Sequence, residues 1–156
     1  MTVFVTDNVT LRHSGEQDLA RRLAATGVEA TPGYVVFSNG ASDVSDLDAM
    51  KVKLRELGYD GVVTMRIVDR EKNIEAVPGS FDGYWGYWGP GYYSYGSPYA
   101  YTETIYRIEA AAYSLRDGQL MWSAITKTID PDTTDELIED TTEMIAGQLR
   151  RRGLAG

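Results

Sequence analysis

The apolar and polar positions of this chain divide it into short alternating runs and longer stretches of helical spacing. Thr2 to Thr6 (TVFVT) is rich in β-branched residues and alternates as a half-covered strand does. Asp7 to His13 reads as a polar connection. Ser14 and Gln17 then form an S-x-x-Q capping box, which satisfies amide donors at a helix start. Leu19 and Leu23, with Ala20 and Ala24, continue as an i, i+4 stripe that Gly27 ends. Val28 to Phe37 reads as an extended segment interrupted by Pro32-Gly33. Strand, helix and strand in this order predict a right-handed parallel unit.

A second helix is predicted after a cap at Ser45. Leu47, Met50, Leu54 and Leu57 share one face, and Gly58 closes it. Gly61 to Val68 reads as a strand with Val63, Met65 and Ile67 on one side, followed by a charged excursion over Asp69 to Asn73. Glu103 to Leu115 is a long strand with Tyr106, Ile108, Ala110 and Ala112 on one face. Asp117-Gly118 predicts a tight hairpin, and Gln119 to Ile129 returns as its partner. In that returning strand the alternation leaves the core face open, because Leu120 and Trp122 compete with Met121 and Ser123. The last helix starts at a Thr133/Glu136 capping box. It carries Leu137, Ile138, Thr141, Met144, Ile145 and Leu149 as its stripe and ends near Gly153.

The fold class is therefore α/β (α+β): a mixed sheet in the order β-α-β-α-β, an aromatic loop, then β-β-α, with helices packed on the sheet. A length of 156 residues suits a single domain over 1–156, which at this size buries roughly 70% of its unfolded surface.

One stretch breaks the pattern. Gly79 to Tyr101, GSFDGYWGYWGPGYYSYGSPYAY, alternates rings with glycines and has Asp82 as its only charge. It is read as an insertion loop over 79–101 between two strands that pair antiparallel. Flat apolar faces with polar tips on a permissive backbone stack on sugar rings, bind Pro-rich or aromatic partners, or pack on another copy. The candidate ligand- or partner-binding residues are Tyr84, Trp85, Tyr87, Trp88, Tyr92, Tyr93 and Tyr95. So many rings exposed together are an aggregation hazard, so the segment is expected to be at least partly buried on this domain or in an oligomer.

Charge and chemistry narrow the classes. A net charge of −8 opposes nucleic acid and anionic membrane surfaces as partners. No run of about 18 apolar residues is present, so no membrane-spanning helix is expected. The chain has no cysteine and one histidine, His13. Thiol catalysis and thiolate metal sites are excluded, and His13 reads as a surface or capping residue. Gly83 to Gly91 lacks the spacing and the lysine of a phosphate loop. Asp130, Asp132 and Asp135 lack the glycine and the closing glutamate of an EF-hand and read as a charged helix start. Carboxylate pairs that meet only in space stay open. No catalytic residue, metal or cofactor is expected.

The phrases GVEATPGYVVF at Gly27 to Phe37, GYDGVVTMRIVD at Gly58 to Asp69, YSLRDGQLMWSA at Tyr113 to Ala124, and the helix after TIDPDTTDEL resemble a group of small bacterial envelope proteins. These are often lipoproteins of unassigned function, with a fold like the amino-terminal domain of TolB. The resemblance covers most of the chain and carries a fold, not active-site residues. It implies a non-catalytic binding or assembly module that interacts with an envelope protein or with itself. A peptidoglycan- or carbohydrate-binding protein and an envelope-polymer hydrolase are the alternatives. It further implies a periplasmic or outer-membrane-associated protein if a leader carrying a lipid anchor precedes these residues, and a cytoplasmic one otherwise.

Overall fold

A computed structural model describes residues 1–37, 47–72, 104–129 and 131–155. Strands β1 (Thr2–Val5), β2 (Gly61–Lys72), β3 (Thr104–Ser114) and β4 (Leu120–Ile129) form one sheet in the order β1-β2-β3-β4. β1 runs parallel to β2, and the other two pairings are antiparallel. Helices α1 (Val9–Ala24), α2 (Gly33–Val36) and α3 (Leu47–Glu56) lie between β1 and β2 in the chain, and α4 (Thr134–Arg151) follows β4. The expected mixed sheet with packed helices is what forms.

The two faces carry separate cores. On one, Leu11, Leu19 and Leu23 of α1 and Leu137, Ile138, Ile145 and Leu149 of α4 pack on Phe4, Met65, Ile108, Ala110, Ala112 and Trp122. On the other, Leu54 of α3 and Phe37 pack with Val3, Val62, Ala111 and Tyr113. Burying both faces of the central strands excludes water from the ladder hydrogen bonds and is the main stabilising term of such a sheet.

Several sequence expectations are corrected at the level of elements. No strand forms over Val28 to Phe37. Its strand-type pairing with the sheet is a single parallel bridge, Thr2 to Pro32, after which Gly33–Val36 turns into α2. The parallel neighbour of β1 is instead β2. Helix α1 begins at Val9, because the Asn8 side chain accepts from the Leu11 amide at 3.0 Å, a stronger cap position than Ser14, which lies inside the helix. The charged run after Val68 belongs to β2, which continues to Lys72. The pairing passes from Ile67–Ile108 to Asp69–Arg107, so Val68 is a bulge that moves Asp69 to the opposite face from Ile67. The hairpin loop spans residues 115–119, with Gly118 at φ 73°, and is wider than two residues. Leu57 and Met144, both expected on apolar stripes, are exposed.

Other features stand as expected. Tyr106, Ile108, Ala110 and Ala112 face one core. Thr133 caps α4, accepting from the Glu136 amide at 3.1 Å. Gly58 and Gly153 take positive φ just past their helices, where a Cβ would be strained.

Helices α1 and α4 are joined by a polar network as well as by their apolar stripes. Asp18 accepts from Arg21, Arg22 and Thr142, and Arg22 also lies near Glu139 and Glu143. Burial raises the Asp18 carboxyl, but the bonds from Thr142, Arg22 and Arg21 outweigh it, and the acid sits below its ordinary value of 3.8. A depressed carboxylate stabilises the fold above its unfolded value and loses that contribution as pH falls through the folded value. Asp18→Asn is therefore expected to be less stable by about 1 kcal/mol at pH 7, with the gap closing below about pH 3.8. Urea midpoints at pH 7 and pH 3 test this, and a gap that is the same at both would rule it out.

Candidate functional site

The seven aromatic residues proposed from sequence, Tyr84, Trp85, Tyr87, Trp88, Tyr92, Tyr93 and Tyr95, lie outside the described residues, as does Asp130. The sheet does define how their segment is held. Lys72 and Thr104 are register partners at the end of the β2–β3 ladder, so residues 73–103 leave and return at neighbouring positions of two central strands. The two strands pair antiparallel, as the sequence reading expected. The segment joins the sheet at the end where β4 passes into α4 and where Asp132 and Asp135 lie exposed.

Next to that anchor the α3 side of the sheet changes character. Beyond Ala111 its cross-strand rows are charged. Arg66 on β2 donates to Glu109 on β3 at 2.6 Å, and Arg107 lies 3.6 Å from Asp69. Glu109 is only 4% exposed. A carboxylate so far from water requires a close cation, and the register supplies one directly opposite. The Val68 bulge makes the second pair possible by turning Asp69 toward Arg107. On the other face of the same strands, Arg70 lies over the Tyr106 ring at 5.4 Å, a cation–π contact.

β4 borders these rows and is the last strand of the sheet among the described residues. Trp122, Thr126 and Thr128 are buried toward α4. Met121, Ile125 and Ile129 are 46%, 48% and 49% exposed, with Ser123 and Lys127 between them. The core face of β4 that alternation left open is thus the one holding Trp122. The pairing passes from Ala112–Trp122 to Tyr113–Leu120, so Met121 is a bulge. That interruption is why Leu120 and Trp122, two apart in sequence, do not share a face.

At the opposite end of the sheet a groove of about 1060 Å³ opens among Tyr59, Asp60, Arg116, Met121 and Leu154. The chain ends of α1, α3 and α4 converge there. Arg55 from α3 closes part of this end by donating to the Leu115 and Arg116 carbonyls.

A second polar cluster was not found by the sequence reading. Glu16 of α1 is 2% exposed. One carboxylate oxygen accepts from the Phe4 amide at 3.0 Å, and the other accepts from the Tyr34 amide at 2.7 Å. Thr2 donates to the Glu16 carbonyl at 2.8 Å. Burial raises the Glu16 carboxyl above its ordinary value, against the two amide bonds and Arg12, which lower it. With both oxygens held by main chain, Glu16 acts as a clamp that fastens the 31–36 segment to β1. His13 sits within α1, against the Tyr34 ring at 4.3 Å between centroids, not ahead of the helix as expected. The available signal was spacing: Glu16, Leu19, Ala20 and Leu23 share one helical face, so a lone carboxylate stood on an apolar stripe.

The fold is shared with known proteins, although no family model and no curated protein matches the chain. A point variant of the PelC dodecamer from Paraburkholderia phytofirmans superposes with a TM-score of 0.51 at 14% identity, over 99% of this chain and 84% of that one. A second PelC dodecamer from the same organism gives 0.50 at 14% identity, over 95% and 79%. Lipoprotein GNA1162 from Neisseria meningitidis gives 0.50 at 12% identity, over 96% and 94%. At such identities the likeness is one of fold. It reaches a bacterial lipoprotein, as the sequence resemblance implied, and does not bear on TolB. Among the described residues no helix is long and apolar enough to cross a membrane.

Proposed function

We propose that this chain is a non-catalytic assembly module of the bacterial envelope, which associates with itself and presents the aromatic Gly-rich segment to an envelope partner. The observation that supports the reading is the fold shared over nearly the whole chain with a dodecameric PelC and with a lipoprotein. The anchoring at Lys72 and Thr104 fits it, since two paired central strands make a rigid base for a presented segment. On this reading the rings of Tyr84, Trp85, Tyr87, Trp88, Tyr92, Tyr93 and Tyr95 form the contact, the protein is periplasmic or associated with the outer membrane, and no reaction is catalysed.

Deletion of Ser80 to Ala100 is expected to remove the specific proteins captured from envelope extracts while leaving the folded sheet intact by circular dichroism. An unchanged set of captured proteins would sink the proposal. Tryptophan fluorescence during a glycan titration separates a protein partner from a sugar. The deleted chain retains only Trp122, which is buried, so a saturable change lost on deletion would instead assign the segment to a glycan.

A further inference from the structure

We propose that β4 is a contact between two copies of this chain, paired antiparallel about a two-fold axis at Ile125. The proposal rests on the self-association reading above and names its surface.

The two edges of the sheet differ in a way that matters for association. β1 is four residues long, and its outer side is taken by the 31–36 segment. The Thr2 amide donates to the Thr31 carbonyl at 3.0 Å, Thr2 bridges to Pro32, and the Glu16 clamp holds the segment in place. Shortness and a covering segment are two of the devices by which natural sheets protect an edge. β4 has neither. It runs for ten residues, contains no proline, and carries Lys127 as its single charge. Among the described residues no strand pairs with its outer side. Its only irregularity, at Met121, lies near one end.

The side-chain sequence of β4 determines how a second copy fits. Centring an antiparallel pair on Ile125 places Ile125 opposite Ile125, Ser123 opposite Lys127, and Met121 opposite Ile129. Apolar residues meet apolar residues, and each lysine meets a serine. Centring the pair on Lys127 would set two lysines opposite each other, which is unfavourable. A head-to-tail continuation of the sheet would require β4 of one copy to meet β1 of the next, and the 31–36 segment occupies that position. The blocked edge and the self-complementary register together select a two-fold contact, in which the same patch serves both copies. The exposed apolar surface of Met121, Ile125 and Ile129 is then covered by its own twin.

Because the chain has no cysteine, single cysteines report the geometry directly. Residues directly opposite in an antiparallel pair have Cα atoms about 4.5–5.5 Å apart, within disulfide range. In the full-length protein, Ile125→Cys is expected to form a disulfide-linked dimer under mild oxidation, whereas Ser123→Cys is not. Ile125→Lys, at an exposed position, should keep native circular dichroism and weaken dimerisation at least about tenfold in sedimentation experiments, since it sets like charges across the axis. If the chain assembles but Ile125→Cys stays reduced and Ile125→Lys changes nothing, this surface is wrong and the assembly reading survives. Cross-linking by Ser123→Cys but not by Ile125→Cys overturns the register. A chain that remains monomeric at every concentration, with the thiol at position 125 free, overturns both, whatever else pairs with the strand.

Discussion

Glu16→Ala is expected to lower stability by roughly 2–6 kcal/mol, since it leaves two amide donors, the buried one of Phe4 and the partly buried one of Tyr34, without acceptors at about 1–3 kcal/mol each. Domains of this kind have only about 5–15 kcal/mol in hand, so the variant should be close to unfolded in moderate urea. Glu16→Gln keeps one acceptor oxygen but turns an NH₂ group toward the other amide, and should fall between the two. The pH dependence has a definite sign. The Glu16 carboxyl is raised above its ordinary value of 4.5, chiefly by burial. A raised acid contributes stability that is full below its unfolded value and is lost as pH rises through the folded value. The gap between parent and Glu16→Ala should therefore be widest at and below about pH 4.5 and narrow toward neutral pH. This is opposite in direction to the Asp18 effect and lies in a higher pH window. Urea titrations of the three proteins at pH 4.5 and 7.5 measure it. A Glu16→Ala midpoint equal to that of the parent would remove the clamp from the account.

Arg66→Met should be nearly as damaging, by about 3–5 kcal/mol, because it leaves the Glu109 carboxylate buried without the cation opposite it. The same principle predicts the companion result. Replacing both residues, Arg66→Met with Glu109→Met, should restore most of the loss, because neither desolvated charge then remains. The comparison of the two single variants with the double variant isolates the coupling between the residues. A double variant no more stable than the worse single one would show that the two charges act through other groups and not through each other. The pair also has consequences for the candidate interface, since Glu109 lies beside Ile125 in the β3–β4 register. An unpaired carboxylate there would place charge next to the proposed two-fold axis.

Much of the architecture could be read from the pattern of residues. Strand β3, the covered face of β2 and helix α4 all follow from periods of two or 3.6 kept over many residues, and from caps such as Thr133. Long regular runs carry a redundant signal, so a single exception does not erase them. The errors fall where the period was short or broken. Val28 to Phe37 has the apolar content of a strand, but Pro32 offers no amide to a ladder, and the segment makes a single strand-type bridge to β1 before turning into α2. Bulges at Val68 and Met121 shift side chains to the other face, and no local rule marked them. At the start of α1 two caps competed, and Asn8 prevailed over Ser14 because starting there adds Leu11 to the core.

By itself the chain of residues determined an acidic, cysteine-free domain with a mixed sheet, helices on it, and an aromatic segment inserted between two antiparallel strands. Those features depend on composition and on neighbours a few positions apart. Only the tertiary structure decided that Glu16 is a clamp, that Arg66 faces Glu109, that one sheet edge is covered by residues 31–36, and that Ile125 and Ile129 stand in the open on the other. Each of these joins positions far apart in sequence, and burial and pairing at such positions are created by the packing of whole elements, which no local period encodes.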